Sequence, residues 1–327
     1  MARTKVGIIN VTGYTGVELA RLLAGHPYVE LASVTGRSAA GRKLGEVFPH
    51  LAGLALSIEA ELGEVDLAFS AMPHKESAEE VVPLLERGIK VVDISADFRL
   101  KDASEYRKWY GFSHPAPQLL KEAAYGLTEL YRPRIASARL VANPGCYPTG
   151  AILALAPVVK EGLTQPDIII DSKSGVSGAG RTLNQQSHYA EANEDISAYA
   201  LEGHRHLPEI VQELKQLQPG QMASVTFVPH LIPMTRGILT TCYARPAPGR
   251  LAGGKKGAEE LRELYLDFYR DEPFVRVVAS PPHTKHTSGS NLCLIHPTIN
   301  PTTGKLVIIS CIDNLVKGAG GQAVQNM

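Results

Sequence analysis

The stretch KVGIINVTGYTGVELARLLAGHP, residues 5–27, carries the reading on which the fold turns. KVGIIN (5–10) is a short apolar run that ends at a turn containing Gly13 and Gly16. Beyond the turn, Val17, Ala20, Leu23 and Ala24 share one helical face, and Pro27 marks the stop. Strand, glycine turn and helix in that order open a βαβ unit. Working outward, VELASV (29–34), VDLAFSAMP (65–73), KVVDISADF (90–98) and RLVANPG (139–145) read as strands, with the helix KESAEEVVPLLERG (75–88) among them. Apolar strands separated by helices imply a parallel sheet covered on both faces.

From about residue 166 the pattern changes. PDIIIDSKS, ASVTFVPHL (223–231), GILTTCYARP, FVRVVASPP (274–282), NLCLIHPTI and KLVIISCID read as strands, several with period-2 alternation. The helices LPEIVQELKQL (207–217) and GAEELRELYLDFYRDEP (257–273) interrupt them, the latter with Leu261, Leu264, Tyr265 and Phe268 at i, i+3, i+4 and i+7. The expected fold is α/β, a Rossmann-type doubly wound parallel sheet plus a second α+β domain with a mixed, largely antiparallel sheet. The expected domains are 1–145 with 314–327 for a dinucleotide, and 146–313 for catalysis, substrate and oligomerisation. No repeat or low-complexity tract interrupts this plan.

Bulk composition narrows the function class. The 327 residues include 33 Lys+Arg and 33 Asp+Glu, so no net charge favours a polyanionic partner such as nucleic acid. Four cysteines without paired spacing read as reduced thiols of a cytoplasmic protein, not as disulfides or a zinc site. The N-terminus has no h-region, and no stretch approaches the roughly 18 apolar residues of a membrane span.

The turn after the first strand, NVTGYTG (10–16), lets a phosphate approach the backbone at a helix N-terminus. A three-glycine pattern would start at position 10, where this chain has Asn10. After the second strand an NAD site would place Asp or Glu for the ribose 2′-hydroxyl. This chain offers Arg37, Ser38 and Arg42, which suit a 2′-phosphate, so the expected cofactor is NADP(H). SADFR (95–99) places Asp97 and Arg99 past a strand end, facing the same crevice.

NPGCYPTG (143–150) sets Cys146 where an apolar helix begins, with Pro148 at an early helical position. A thiol there lies in the positive end of the helix dipole, which favours the thiolate, and free N–H groups can hold an oxyanion. Cys242, Cys293 and Cys311 lie on apolar strands and read as small buried hydrophobes. A nucleophilic thiol needs a proton-transfer partner. Among eleven histidines, His204 and His206 in EGHRHLPEI flank Arg205 just before a helix opened by Pro208, with Glu209 three residues after His206. His283 and His286 lack carboxylate or thiolate support, so no metal is expected. SKSGVSGAGR (172–181) has the composition of a phosphate- or carboxylate-binding loop.

Taken with these residues, the chain resembles the N-acetyl-gamma-glutamyl-phosphate reductase family, the NADP-linked reductases of arginine biosynthesis, over nearly its whole length. VANPGCYPTGAILALAP looks like the family's active-site signature, and TGYTG, SADFRL, SGVSGAGR, GHRHLPE, TRGIL and DNLVKGAGGQAVQNM follow in the family's order. The resemblance implies Cys146 as nucleophile, His206 as acid/base with Glu209 beside it, and His204 as the weaker proton-transfer candidate. It implies cofactor contacts at Gly13, Tyr14, Thr15, Gly16, Arg37, Ser38, Ser177, Gly178, Asn314 and Gly318. Substrate contacts are expected at Arg99, Asn143, Ser174 and Arg181. The reaction implied is reduction of an acyl phosphate through a Cys146 thioester, with release of phosphate and an aldehyde, by a homodimer or homotetramer.

Two departures stand out: Asn10-Val11 where the family has Gly-Ala, and an end at Met327 where members run on through a helix. The competing readings are a sister acyl-phosphate reductase of the lysine or aspartate pathway, a non-enzymatic NADP(H)-binding thiol sensor, and a cofactor-free Cys–His hydrolase. Lysine-pathway relatives tend to lack the Pro-Gly-Cys-Tyr-Pro turn.

Overall fold

The apolar run near the start of the chain forms strand β1 (Thr4–Ile9), whose last four residues are buried. Strands β2 (Val29–Thr35), β3 (Ile58–Glu59), β4 (Leu67–Ser70), β5 (Lys90–Asp93), β6 (Ala124–Tyr125) and β7 (Leu140–Ala142) join it in one sheet, ordered β3-β2-β1-β4-β5-β7-β6. All its pairings are parallel. The chain leaves β1 toward β2 on one side and returns to β4 on the other. That reversal puts a topological switch point at the carboxyl ends of β1 and β4. The computed structural model describes residues 3–220 and 224–327. The chain divides into two units, Met1–Gly145 with Ala319–Met327, and Cys146–Gly318.

In the first unit several boundaries differ from the sequence reading. The first helix runs Tyr14–Ala24, not 16–27, and Glu18 and Leu19 are buried while Ala24 is exposed. Gly25 is a poor helix former and Pro27 disfavours helical backbone at His26, so the helix ends before the proline. Strand β5 stops at Asp93 because the Asp93 carboxylate accepts from Ser95 N at 3.1 Å, an Asx turn that bends the chain away. The two-residue strands β3 and β6 and the helices Ala103–Tyr110 and Thr128–Ser137 lacked a readable period.

The second unit is built round the helix Cys146–Lys160, in which residues 147–159 are all buried. Such a helix, apolar on every side, must be a core element. It packs on a sheet of β8 (Thr164–Gly175), β9 (Ser197–Ala198), β10 (Ser224–Ile232), β11 (Ile238–Pro246), β12 (Val275–Val277), β13 (Cys293–Ile299) and β14 (Leu306–Ile312), ordered β12-β13-β14-β11-β8-β10-β9. The β8–β10 and β12–β13 pairings are parallel and the rest antiparallel, so the sheet is mixed and largely antiparallel. Ile168 and Ile170 of β8 are buried, whereas Ile169 between them is exposed, the period-2 pattern of a sheet covered on one face.

The helix Leu207–Leu217 has the expected bounds, and the next runs Gly254–Phe268, ending before the expected 273. On that helix Leu261 and Tyr265 are buried and Leu264 and Phe268 half-buried. Of the strand expected over 274–282 only Val275–Val277 forms, and the chain bends at residues 279–280, ahead of the paired prolines. Ala223, expected to open a strand, lies outside the described residues.

Pro157 interrupts the central helix without breaking it. A proline has no N–H, so the carbonyl of Leu153, four residues earlier, loses its helical donor. The Tyr269 hydroxyl donates to that carbonyl at 2.6 Å, and Tyr265 donates to the carbonyl of Ala154 at 2.5 Å. Both tyrosines are buried, so the orphaned Leu153 carbonyl is satisfied from the side of the helix.

Candidate active site

In the first unit a cleft of about 580 Å³ opens at the carboxyl ends of β1, β2 and β4, lined among others by Asn10, Gly36, Arg37, Ser38, Met72 and Glu76. Asn10 adopts φ 64°, the left-handed region that glycine favours and Asn tolerates best among other residues. Its amide donates to Ala71 O at 3.0 Å and its oxygen accepts from Thr12 Oγ1 at 3.2 Å. Asn10 therefore takes the glycine conformation and pins the turn to the segment after β4.

The next two glycines act differently. A Cβ on Gly16 would lie 2.4 Å from Asn10 O, so Gly16 lets the helix approach the strand. A Cβ on Gly13 meets nothing closer than 4.0 Å and would point into open space. The first helical turn, with Tyr14 and Thr15, has no side-chain cap and no acidic residue. Among the described residues no side chain caps this turn, and its N–H donor set fits a pyrophosphate. Arg37 and Ser38 are exposed on the cleft rim, while Arg42 is not among the lining residues. Arg37 ion-pairs Glu76 at 2.5 Å and Glu80 at 3.5 Å.

In the second unit Cys146 is the first residue of its helix and is half-buried. Tyr147, directly after it, packs edge-on against His204, His206 and Phe227 with ring centroids 5.6, 5.9 and 5.3 Å away. The Tyr147 and Tyr199 hydroxyls are 2.9 Å apart. Burial pushes the Tyr147 phenol far up and that of Tyr199 up to about 12, so both stay protonated near neutrality. His204 and His206 lie 4.8 Å apart, centroid to centroid.

His204 Nδ1 accepts from His206 N at 3.0 Å, which leaves the ring proton on Nε2. Burial, and then the Arg205 charge, pushes His204 down to about 4. It is a neutral ring of fixed tautomer. Glu209 is fully buried in the first turn of Leu207–Leu217, and Glu213, one turn on, is buried as well. An acid in that turn is favoured by the helix dipole.

The loop after β8 and the segment after β14 meet in the same unit. Asn314 accepts from Gly237 N at 2.8 Å and donates to Ser177 Oγ at 2.9 Å. A Cβ on Gly178 would lie 3.2 Å from Ser174 Oγ and 3.9 Å from Asn314 Nδ2. Gly318 lies against the cysteine, and a Cβ there would stand 2.8 Å from Cys146 Cβ. Asp313, fully buried, anchors the segment by accepting from the N–H groups of Leu315, Val316 and Gly289. Ser174, Ser177, Gly178 and Asn314 are thus one cluster, and Gly318 belongs to the cysteine turn.

Other residues singled out in the sequence sit elsewhere. Arg99 is buried, with Nε on Asn143 O at 2.7 Å and Nη2 on Ile94 O at 2.8 Å. The buried Asn143 amide donates to Ala319 O at 3.2 Å and accepts from Asn326 Nδ2 at 2.9 Å. Asp97 does not face the crevice as expected. It is buried, accepts from Lys75 N and Ala78 N at 2.8 and 2.9 Å, and so caps the helix Glu76–Glu86. Burial, and then the charge of Asp93, pushes it up to about 7.

Arg181 is exposed. Cys242, Cys293 and Cys311 are fully buried on β11, β13 and β14, and burial holds the thiols of Cys242 and Cys311 up, that of Cys311 at about 12. His283 and His286 stack at 4.8 Å, and among the described residues no group of three or more His, Cys, Asp or Glu could hold a metal. Among the described residues no helix is long and apolar enough to cross a membrane. Sequence reasoning missed Tyr147, Tyr199, Glu76 and Glu80. Only Tyr147 carried a signal, as the aromatic residue next to a candidate nucleophile.

Two family models match the chain: the semialdehyde dehydrogenase NAD binding domain over residues 5–138, and the semialdehyde dehydrogenase dimerisation domain over 146–314. A curated relative from Dehalococcoides mccartyi strain 195, named N-acetyl-gamma-glutamyl-phosphate reductase, is 58% identical over 331 residues, covering 100% of this chain and 94% of that protein. A relative of the same name from Pelotomaculum thermopropionicum is 52% identical, covering 99% and 94%. Among solved structures, aspartate semialdehyde dehydrogenase II from Vibrio cholerae has the same fold, with TM-score 0.71 at 15% identity, covering 99% of this chain and 97% of that one.

Proposed function

Because this chain belongs to the N-acetyl-gamma-glutamyl-phosphate reductase family, within the semialdehyde dehydrogenases, we propose that it reduces N-acetyl-γ-glutamyl phosphate to N-acetyl-glutamate 5-semialdehyde and phosphate, a step of arginine biosynthesis, with NADPH as cofactor. The observation that carries this reading is the cysteine turn: a half-buried thiol heads a 15-residue helix, and the ring beside it packs on two histidines.

Cys146 Sγ attacks the acyl carbon; a C–S bond forms, the C–O bond to phosphate breaks, and phosphate leaves with the electron pair. The helix N-terminus, Cys146 N–H included, stabilises the oxyanion of each tetrahedral intermediate. NADPH, when bound, would supply hydride chemistry at the thioester carbonyl. The thiohemiacetal then collapses and returns the thiolate. His206 is the proton-transfer residue in this scheme. His204, neutral with Nδ1 already accepting, orients the His206 backbone instead. Glu209, in the first turn of the helix that His206 opens, is its proposed neighbour in the site.

For the cofactor, the open face at Gly13, the uncapped first turn with Tyr14, Thr15 and Gly16, and the rim residues Arg37 and Ser38 form the donor set. Arg37 favours a 2′-phosphate and hence NADP(H). Ser177, Gly178, Asn314 and Gly318 are the proposed cofactor contacts within the second unit, and Ser174 and Arg181 are the proposed substrate contacts. Arg99 and Asn143, whose polar atoms bind backbone and Asn326, hold the segment that leads to Cys146. The half-exposed face of the second sheet, with Ile169 of β8 and Tyr243 of β11, suits a second copy of the chain. The setting is cytoplasmic.

The test is NADP⁺ reduction with N-acetyl-glutamate 5-semialdehyde and phosphate, repeated with Cys146→Ser and with NAD⁺. Phosphate-dependent turnover that is lost in Cys146→Ser supports the thioester route. Turnover that survives the substitution, or needs no phosphate, overturns it.

A further inference from the structure

We propose that Glu76 and Glu80 set the preference of the first-unit cleft between phosphorylated and unphosphorylated dinucleotides, by competing with a ribose 2′-phosphate for Arg37. The inference rests on the NADP(H) reading above and adds to it the residues that tune the choice. Arg37 Nη1 lies 2.5 Å from Glu76 Oε2, and Nη2 lies 3.5 Å from Glu80 Oε1. The two carboxylates stand one turn apart on the helix Glu76–Glu86, and all three side chains line the cleft. They are 69, 42 and 48% exposed, in the order Arg37, Glu76, Glu80.

Exposed ion pairs are weak and exchange readily for a stronger acceptor. A phosphate monoester, with about −1.5 to −2 charge near neutrality, is that acceptor, and guanidinium binds it bidentately. When it takes Arg37, Glu76 and Glu80 remain beside it as like charges. An NAD ribose brings only a 2′-hydroxyl, which a carboxylate accepts as hydrogen-bond partner. The two carboxylates therefore oppose a phosphorylated ribose and favour a plain one, while Arg37 does the reverse. An NAD site usually draws its carboxylate from the end of the second strand, where this chain has Arg37. Here the carboxylates arrive from the helix after β4.

The experiment is direct titration of the full chain with 2′,5′-ADP, 5′-AMP, NADPH and NADH, by calorimetry or fluorescence, at low and high salt. The variants are Glu76→Gln, Glu80→Gln, the double change and Arg37→Ala. Glu76→Gln is expected to tighten 2′,5′-ADP and NADPH roughly fivefold, as removal of one exposed like charge allows. It should leave 5′-AMP and NADH unchanged or weaker, the gap shrinking as salt screens the charges. Arg37→Ala should erase the preference for 2′,5′-ADP over 5′-AMP.

Glu76→Gln binding 2′,5′-ADP no tighter than wild type overturns the competition and leaves the NADP(H) reading standing, as does a preference that survives Arg37→Ala. Wild type that binds none of the four removes the cofactor reading and this inference together.

Discussion

Substituting Gly318 by alanine tests the cysteine turn without touching the thiol. The added Cβ would lie 2.8 Å from Cys146 Cβ and 3.2 Å from Cys146 Cα. Ordinary carbon–carbon contacts lie at about 3.5–4.0 Å, so the two groups must separate by roughly 0.7–1.2 Å. The neighbour is the start of a buried helix, not a flexible side-chain tip, and Gly318 itself is tethered by Gly318 N to Asp313 O at 2.9 Å. Overpacking of this kind costs about 1–3 kcal/mol, small beside the ~5–15 kcal/mol of a folded domain, so the protein should remain folded. A nucleophile displaced by ~1 Å loses about 10²-fold in rate. The expected result is a kcat down roughly a hundredfold and a slower alkylation of Cys146 by iodoacetamide. The assay is steady-state turnover beside alkylation mass spectrometry and a thermal melt. A kcat within twofold of wild type, in a folded variant, would refute the packing of Gly318 on the nucleophile.

Tyr269→Phe should leave the buried Leu153 carbonyl without a donor and lower unfolding free energy by about 1–3 kcal/mol, with kcat/KM little changed. Adding Pro157→Ala restores an N–H four residues on and should recover part of the loss in urea titrations; equal midpoints for Tyr269→Phe and wild type would count against the argument. His204 gives a pH signature. Its folded pKa of about 4 lies below the ordinary histidine value of about 6.5, so between the two the unfolded chain binds a proton that the folded one refuses. Stability from this group is therefore complete at high pH and falls as pH drops through that window, by up to ~1.4 kcal/mol per pH unit. Urea midpoints should drop between about pH 7.5 and about pH 5, and His204→Gln should flatten the slope in part, since buried His114 is shifted down too and adds the same sign. An unchanged slope in His204→Gln would show that the ring is not held neutral.

How much of this was legible in the chain depends on the range of the interaction. The helix Leu207–Leu217 was readable because Pro208 and a period of 3.6 are local signals. The same was true of β8, whose alternation survives in the sequence. The first helix was misjudged at both ends, because Gly25 stops it and its second buried row, Glu18 and Leu19, depends on what packs there. Asp97 and Arg99 were expected at the crevice because they follow a strand. They are instead a helix cap and a backbone clamp, roles decided by Lys75, Ala78 and Asn143 from distant parts of the chain.

The sequence by itself determined the order of strands and helices, the cysteine at a helix start, the paired histidines before another helix and the basic residues after the second strand. Each depends on neighbours within a turn or two, where backbone geometry leaves few choices. Tertiary structure decided what those residues face. It made His204 a neutral ring by burying it, and it brought Glu76 and Glu80 to Arg37 across a gap of about forty residues. It also pressed Gly318 onto Cys146 from the far end of the second unit. Desolvation, charge pairing and steric contact depend on distance in space, and no spacing along the chain encodes it.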